Sequence, residues 1–269
     1  MKNTQLLLIG IAMLFAACSD NNGTSSPEEF IGEKISIGNG QAWTFINVDA
    51  EGVPTAIGVR FDSEVLEGLP TGSMFADEFI LNLSQAVTVE PYDHFTMDWN
   101  EHGHESPGVY DIPHFDFHFY FMTEAERNLI KPTDDDQFNA PMEARYLPPD
   151  YLETPGGVPH MGAHIIDLLS PEIAGSGIFT YTFIYGKYKA EINFLEPMVT
   201  QAFLESKSTI RKEIRQPQQW QKEGYYPQDY TISYDADTDV YEVALVNLKR
   251  ETGIIPTVYS ASNLSFNHK

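Results

Sequence analysis

Alternation of apolar and polar residues with a period of two runs through most of this chain, and it is sharpest in "PHFDFHFYF" at 113–121. On a strand, successive side chains point to opposite faces. Phe115, Phe117, Phe119 and Phe121 then share one face and predict a core contact. His114, Asp116, His118 and Tyr120 share the other. Similar strand-like runs occupy 42–48, 55–61, 77–83, 92–99, 177–186 and 188–195, and 230–248 reads as a hairpin turning at "DADTD". Helix signals are few. Thr123 and Glu126 form a capping box ahead of "TEAERNLI". "PMVTQAFLES" at 197–206 predicts a short helix opened by Pro197. Residues 208–224 read as a solvated helix or hairpin. Long proline- and glycine-rich connections fill 100–113 and 131–160, lengths that are commonly functional or packed as lids. The expected fold is mainly β, an antiparallel barrel or sandwich with long loops and one or two short helices.

The N-terminus departs from this pattern. "LLLIGIAMLFAA" at 6–17 is too short for a spanning helix and suits a signal peptide. Cys18, the only cysteine, follows at once. "LFAACSD" resembles a bacterial lipobox, with Phe15 where an aliphatic residue is usual, and it marks Cys18 for lipidation. The alternative is a plain secreted protein with an incidental cysteine. The polar segment from Cys18 to Phe30 reads as a flexible tether. Ser19 followed by Asp20, Asn21 and Asn22 resembles the acidic export signal of surface lipoproteins in some Gram-negative phyla, which implies an outer-membrane or cell-surface location. The expected organisation is a lipoprotein signal peptide at 1–17, a tether at 18–30 and a single β domain at 31–269. One cysteine excludes an internal disulfide and a cysteine-rich zinc site.

The chain has 269 residues and a formal charge of −23. Such a surface repels phosphate backbones and argues against nucleic acid as a partner. No phosphate loop or dinucleotide fingerprint occurs, so no nucleotide cofactor is expected. No nucleophile elbow occurs either. The oligomeric state is not encoded in any pattern here.

The histidines carry the candidate chemistry. Seven of the eight fall between His94 and His164. His102 and His104 lie in a loop, His114 and His118 on the strand after it, and His160 and His164 in "HMGAH", followed by Asp167. Glu196 is placed at a strand end before Pro197. Imidazoles with carboxylates suit zinc, iron, manganese or copper. On a straight strand His114 and His118 stand about 13 Å apart, too far to share one ion without a bend. His160 and His164 would be neighbours only if "HMGAH" formed a helical turn, which Gly162 opposes.

The blocks "GHESPGVYDIPHFDFHFYF" (103–121), "VPHMGAH" (158–164) and "YGKYKAEINFLEPMVT" (185–200) resemble a family of exported bacterial proteins defined by a domain of unknown function. The shared positions are Gly103, His104, Pro107, Tyr110, Pro113 to Tyr120, Pro159, Met161, Gly162, His164 and Glu196 to Met198. The resemblance spans 31–205. It implies a compact β fold and brings no assigned reaction. His102 and His160 fall outside the shared positions. The candidate metal ligands are therefore His104, His114, His118, His164 and Glu196, with Asp116 and Tyr120 behind them. Three functions fit: a metal-dependent enzyme, a protein holding a metal or small-molecule ligand without turnover, and a structural envelope module whose histidines bond one another.

Overall fold

The computed structural model describes residues 26–253. Cys18, the signal peptide and most of the tether lie outside that range. The first half of the chain gives β1 (Glu28–Ile31), β2 (Ile35–Ile37), β3 (Gly40–Val48), β4 (Pro54–Asp62), β5 (Asp77–Asn82), β6 (His94–Asn100) and β7 (His114–Tyr120). The second half gives β8 (Tyr151–Glu153), β9 (Ala163–Asp167), β10 (Tyr181–Tyr188) and β11 (Glu191–Thr200). It ends with β12 (Ile210–Glu213), β13 (Glu223–Asp235) and β14 (Val240–Thr252). Four short helices intervene: α1 (Glu124–Arg127), α2 (Asp135–Phe138), α3 (Pro171–Ala174) and α4 (Gln201–Glu205).

The strands form two seven-stranded antiparallel sheets, so the architecture is a sandwich and not a closed barrel. The first sheet runs β1-β3-β4-β14-β13-β12, with β2 on β3. The second runs β5-β6-β7-β11-β10-β9-β8. Alternation on β7 explains the layering. Phe115, Phe117 and Phe119 are fully buried between the sheets, where Phe117 stacks on Phe61 of β4 at 6.0 Å. Truncation there leaves a cavity that packed strands cannot close. Phe117→Ala should cost about 3–5 kcal/mol in denaturant unfolding, and a change below about 1 kcal/mol would contradict the burial.

Several local expectations change. Pro197 does not open a helix; it lies within β11, and the helix starts four residues later, capped by the Thr200 side chain on the Phe203 amide. Glu196 is consequently mid-strand. Ladder pairing begins at Glu28, inside the segment read as tether, because Glu28–Ile31 pairs with Phe45–Val48. Of the two readings of 208–224 the hairpin holds, since residues 210–213 pair antiparallel with β13 as β12, but the segment is not wholly solvated, because Ile214 and Trp220 are buried. The capping box at Thr123 and Glu126 forms as expected.

The other face of β7 is also buried. His114, Asp116, His118 and Tyr120 are each at most 4% exposed. The covering comes from the long connections, which fold over the outer side of the second sheet. Tyr110, Phe179, Ile184 and Met198 form a small apolar cluster there. A polar strand face under a lid, away from solvent, needs internal partners for every charge.

Candidate metal centre

Register brings the polar residues together. His118 of β7 lies opposite Thr96 of β6, and Asp116 lies opposite Asp98. On the other side Asp116 pairs with Met198 and Phe119 with Leu195, which sets Glu196 beside His118. His164 of β9 lies opposite Gly186 of β10. Gly186 has a packing reason: a Cβ there would meet the Phe194 ring at 2.0 Å. That ring packs against both His118 and His164. His104 arrives from the loop after β6. Gly103, at φ +68°, makes the tight return; a Cβ there would sit 2.0 Å from the Tyr110 carbonyl that accepts the His104 amide.

The result is two buried triads that could each hold a metal ion: His104, His114 and Asp116, and His118, His164 and Glu196. In each, one atom per residue lies within 4.8 Å of the others. The nearer pairs are tighter. His114 Nε2 is 3.2 Å and His104 Nε2 3.4 Å from Asp116 carboxylate oxygens. His118 Nε2 is 3.5 Å and His164 Nε2 3.7 Å from the Glu196 oxygens. Ligand atoms of a tetrahedral zinc ion, bonded at about 2.0–2.1 Å, stand roughly 3.3–3.4 Å apart.

Hydrogen bonds behind the rings aim them. His104 Nδ1 donates to the Glu105 carbonyl at 2.7 Å, and His114 Nδ1 donates to the Ile112 carbonyl at 2.6 Å. A carbonyl can only accept, so both Nδ1 atoms carry protons and both Nε2 atoms face the centre. His118 Nδ1 lies 3.1 Å from Thr96 Oγ1 and 3.3 Å from Asp98 Oδ2, again turning Nε2 inward. Backbone carbonyls and carboxylates behind ligating imidazoles are the usual orienting partners of metal-binding histidine. Asn100 donates to Asp116 at 2.8 Å and fixes that carboxylate.

Inward-facing atoms are left unmatched. His114 Nε2, Asp116 Oδ1, His118 Nε2 and Glu196 Oε2 are all covered and make no hydrogen bond within the protein. Buried polar atoms are normally satisfied, so four orphans converging in one layer need a partner. Charge is concentrated there too. Burial alone would lower the pKa of His118, but the Glu196 and Asp98 carboxylates outweigh it and raise it to about 9. Burial likewise works against the His104 charge, and Asp116 prevails, again to about 9. Burial pushes Glu196 up to about 8, with His118 opposing. Asp116 is held well below the carboxylate range by His114 and His104 despite its burial. His164 is driven down to about 4 by burial and by the neighbouring His118 and His104 charges. It is therefore neutral near pH 7, with a free lone pair.

All five residues read as candidate ligands thus fall in the triads, divided between two groups instead of sharing one. The period-two spacing explains the division, since His114 and His118 remain on a straight strand. Asp116, read as an outer partner, stands inside the first triad. Tyr120 stacks between His94 and His118 under the Arg127 guanidinium. His102 points outward, 71% exposed. His160 sits in a turn at φ +61°, not in a helical turn with His164. The sequence reading missed Thr96, Asp98 and Asn100. Their signal was the alternation in "HFTMDWN", which puts His94, Thr96, Asp98 and Asn100 on one face of β6.

A family model described as TTHB210-like, hypothetical protein TTHB210, matches residues 49–99. The matched span runs from β4 through β6 and includes Thr96 and Asp98. It stops before the first triad residue, and the 103–198 motif positions lie beyond it. No curated protein and no solved structure matches the chain.

Proposed function

We propose that the protein is an exported, lipid-anchored metal protein whose two triads each bind a divalent transition metal, with zinc favoured over iron and manganese. The observation that carries this is the set of inward-facing orphan atoms on His114, Asp116, His118 and Glu196. Imidazole-carboxylate sets select such metals over calcium or magnesium, which prefer all-oxygen shells. The orphan atoms face one another without an aligned hydrogen bond, His114 Nε2 3.2 Å from Asp116 Oδ1 and His118 Nε2 3.5 Å from Glu196, spacings that a bound ion would bridge.

Three protein ligands leave a fourth tetrahedral position for water or substrate. His104 and His164, with side chains 32% and 24% exposed, stand on the solvent side of their triads. This favours a metal-dependent enzyme over a closed structural site. A metal in such a position polarises a substrate oxygen or lowers the pKa of bound water.

Elemental analysis of tag-free protein, as purified and after zinc reconstitution, tests the proposal. Two equivalents per chain are expected. Protein that copurifies with no metal and rebinds none would refute it. The anchor is tested separately: Cys18→Ala should shift the protein to the soluble fraction or leave its precursor uncleaved, since stable membrane attachment needs the acyl chains. Unchanged fractionation would remove the lipid anchor from the account.

A further inference from the structure

A second site lies away from the triads, where the edges of the two sheets approach. β9 and β10 of the second sheet, with α3 between them in sequence, face β12 and β13 of the first across a cavity of about 640 Å³. That is within the range of small-molecule sites, which are mostly apolar with a few placed polar groups. Its walls carry Tyr151, Tyr181 and Tyr230 together with Glu172, Lys212 and Arg215. Ile178 and Leu169, also lining it, are 81% and 58% exposed.

Its hydrogen-bonding groups are incompletely used. Arg215 pairs with Asp167 through its terminal nitrogen and lies over the Tyr151 ring at 4.9 Å, but its Nε has no partner. Both Glu172 carboxylate oxygens are also covered and unmatched. An unmatched N–H needs an acceptor, and an unmatched carboxylate needs donors. Hydroxyl groups supply both.

Charge narrows the ligand further. Asp167, Glu172 and Glu213 stand in the lining against Lys212 and Arg215. Asp167 is taken by Arg215, which leaves Glu172 and Glu213 against Lys212, an arrangement without the acid cluster that a strongly cationic ligand would need. The −23 charge of the whole chain repels an anionic one. Tyrosine rings present a broad apolar face with a polar tip, suited to a ligand with C–H faces and hydroxyl edges. We propose that this cavity is a binding site for a neutral saccharide of disaccharide size, stacked on Tyr181 and held by Glu172 and Arg215.

The test is isothermal titration of the full folded domain with cellobiose, maltose and N,N′-diacetylchitobiose, with spermidine and citrate as charged controls. At least one disaccharide should bind, and its affinity should fall tenfold or more in both Tyr181→Ala and Glu172→Gln. The second variant is isosteric and guards against a folding defect in the first. Binding should be the same in chelator-treated and zinc-loaded protein, so the outcome is independent of the metal centres. Binding of no disaccharide, binding of only a charged control, or disaccharide affinity unchanged by Glu172→Gln would each overturn the proposal.

Discussion

His164→Ala should remove one of the two proposed zinc equivalents, and His104→Ala should remove the other. Each imidazole stands at the solvent side of its triad, so truncation takes away a ligand without stripping a wholly buried charge. Loss of even an outer-shell partner weakens metal sites by about 10–100-fold, so loss of a ligand should weaken the affected site by at least about 100-fold. The untouched triad should keep its affinity within a few-fold. The double variant should bind no zinc in a chelator competition assay. His118→Ala is a poorer probe, because it removes the fully buried imidazole that faces both Glu196 and Asp98. Breaking such a pair costs about 3–5 kcal/mol, which would confuse unfolding with loss of metal. If either single variant abolished both equivalents, the triads would form one centre.

Zinc affinity should rise with pH at both triads. Metal displaces protons from its ligands, and each displaced proton contributes about a tenfold change per pH unit below its pKa. In the metal-free protein His104 holds its proton up to about pH 9. The second triad holds protons on His118 up to about 9 and on Glu196 up to about 8. Affinity at each triad should therefore climb between pH 6 and 8, read by titrating His104→Ala and His164→Ala separately. Affinity flat or falling with pH at either triad would contradict the proton assignments. Stability of the metal-free protein runs the opposite way. His104 and His118 are raised above the ordinary 6.5, so their contribution is full below 6.5 and lost as pH rises through about 9. Glu196, raised from 4.5, loses its contribution between there and about 8. Asp116, lowered instead, contributes above the ordinary carboxylate pKa and loses that contribution in acid. Thermal unfolding midpoints should fall from pH 6.5 to 9 without metal, and zinc should reverse the decline.

β7 was legible because period two separates its faces within a few residues. "HFDFHFYF" contains both the core contact and half of the site. The division into two triads was also implicit there, since four residues of strand rise keep His114 and His118 apart. What local pattern could not supply was the third dimension. Glu196 reaches His118 only through the β7–β11 register, and Pro197, a helix opener by local rule, is tolerated within a strand. His104 depends on a loop closure enforced by Gly103. Asp98 and Thr96 needed the β6–β7 alignment before their alternation acquired meaning. Barrel and sandwich share the same alternation, and only the pairing order of the two sheets separates them.

Anomalous diffraction at the zinc edge from crystals of the reconstituted protein tests the central claim most directly. Two peaks are expected. One should lie about 2.0–2.1 Å from the Nε2 atoms of His104 and His114, with an Asp116 oxygen completing the protein ligands. The other should lie at the same distance from the Nε2 atoms of His118 and His164, beside Glu196. Peaks confined to surface carboxylates, with both triads dark at saturating zinc, would contradict the account.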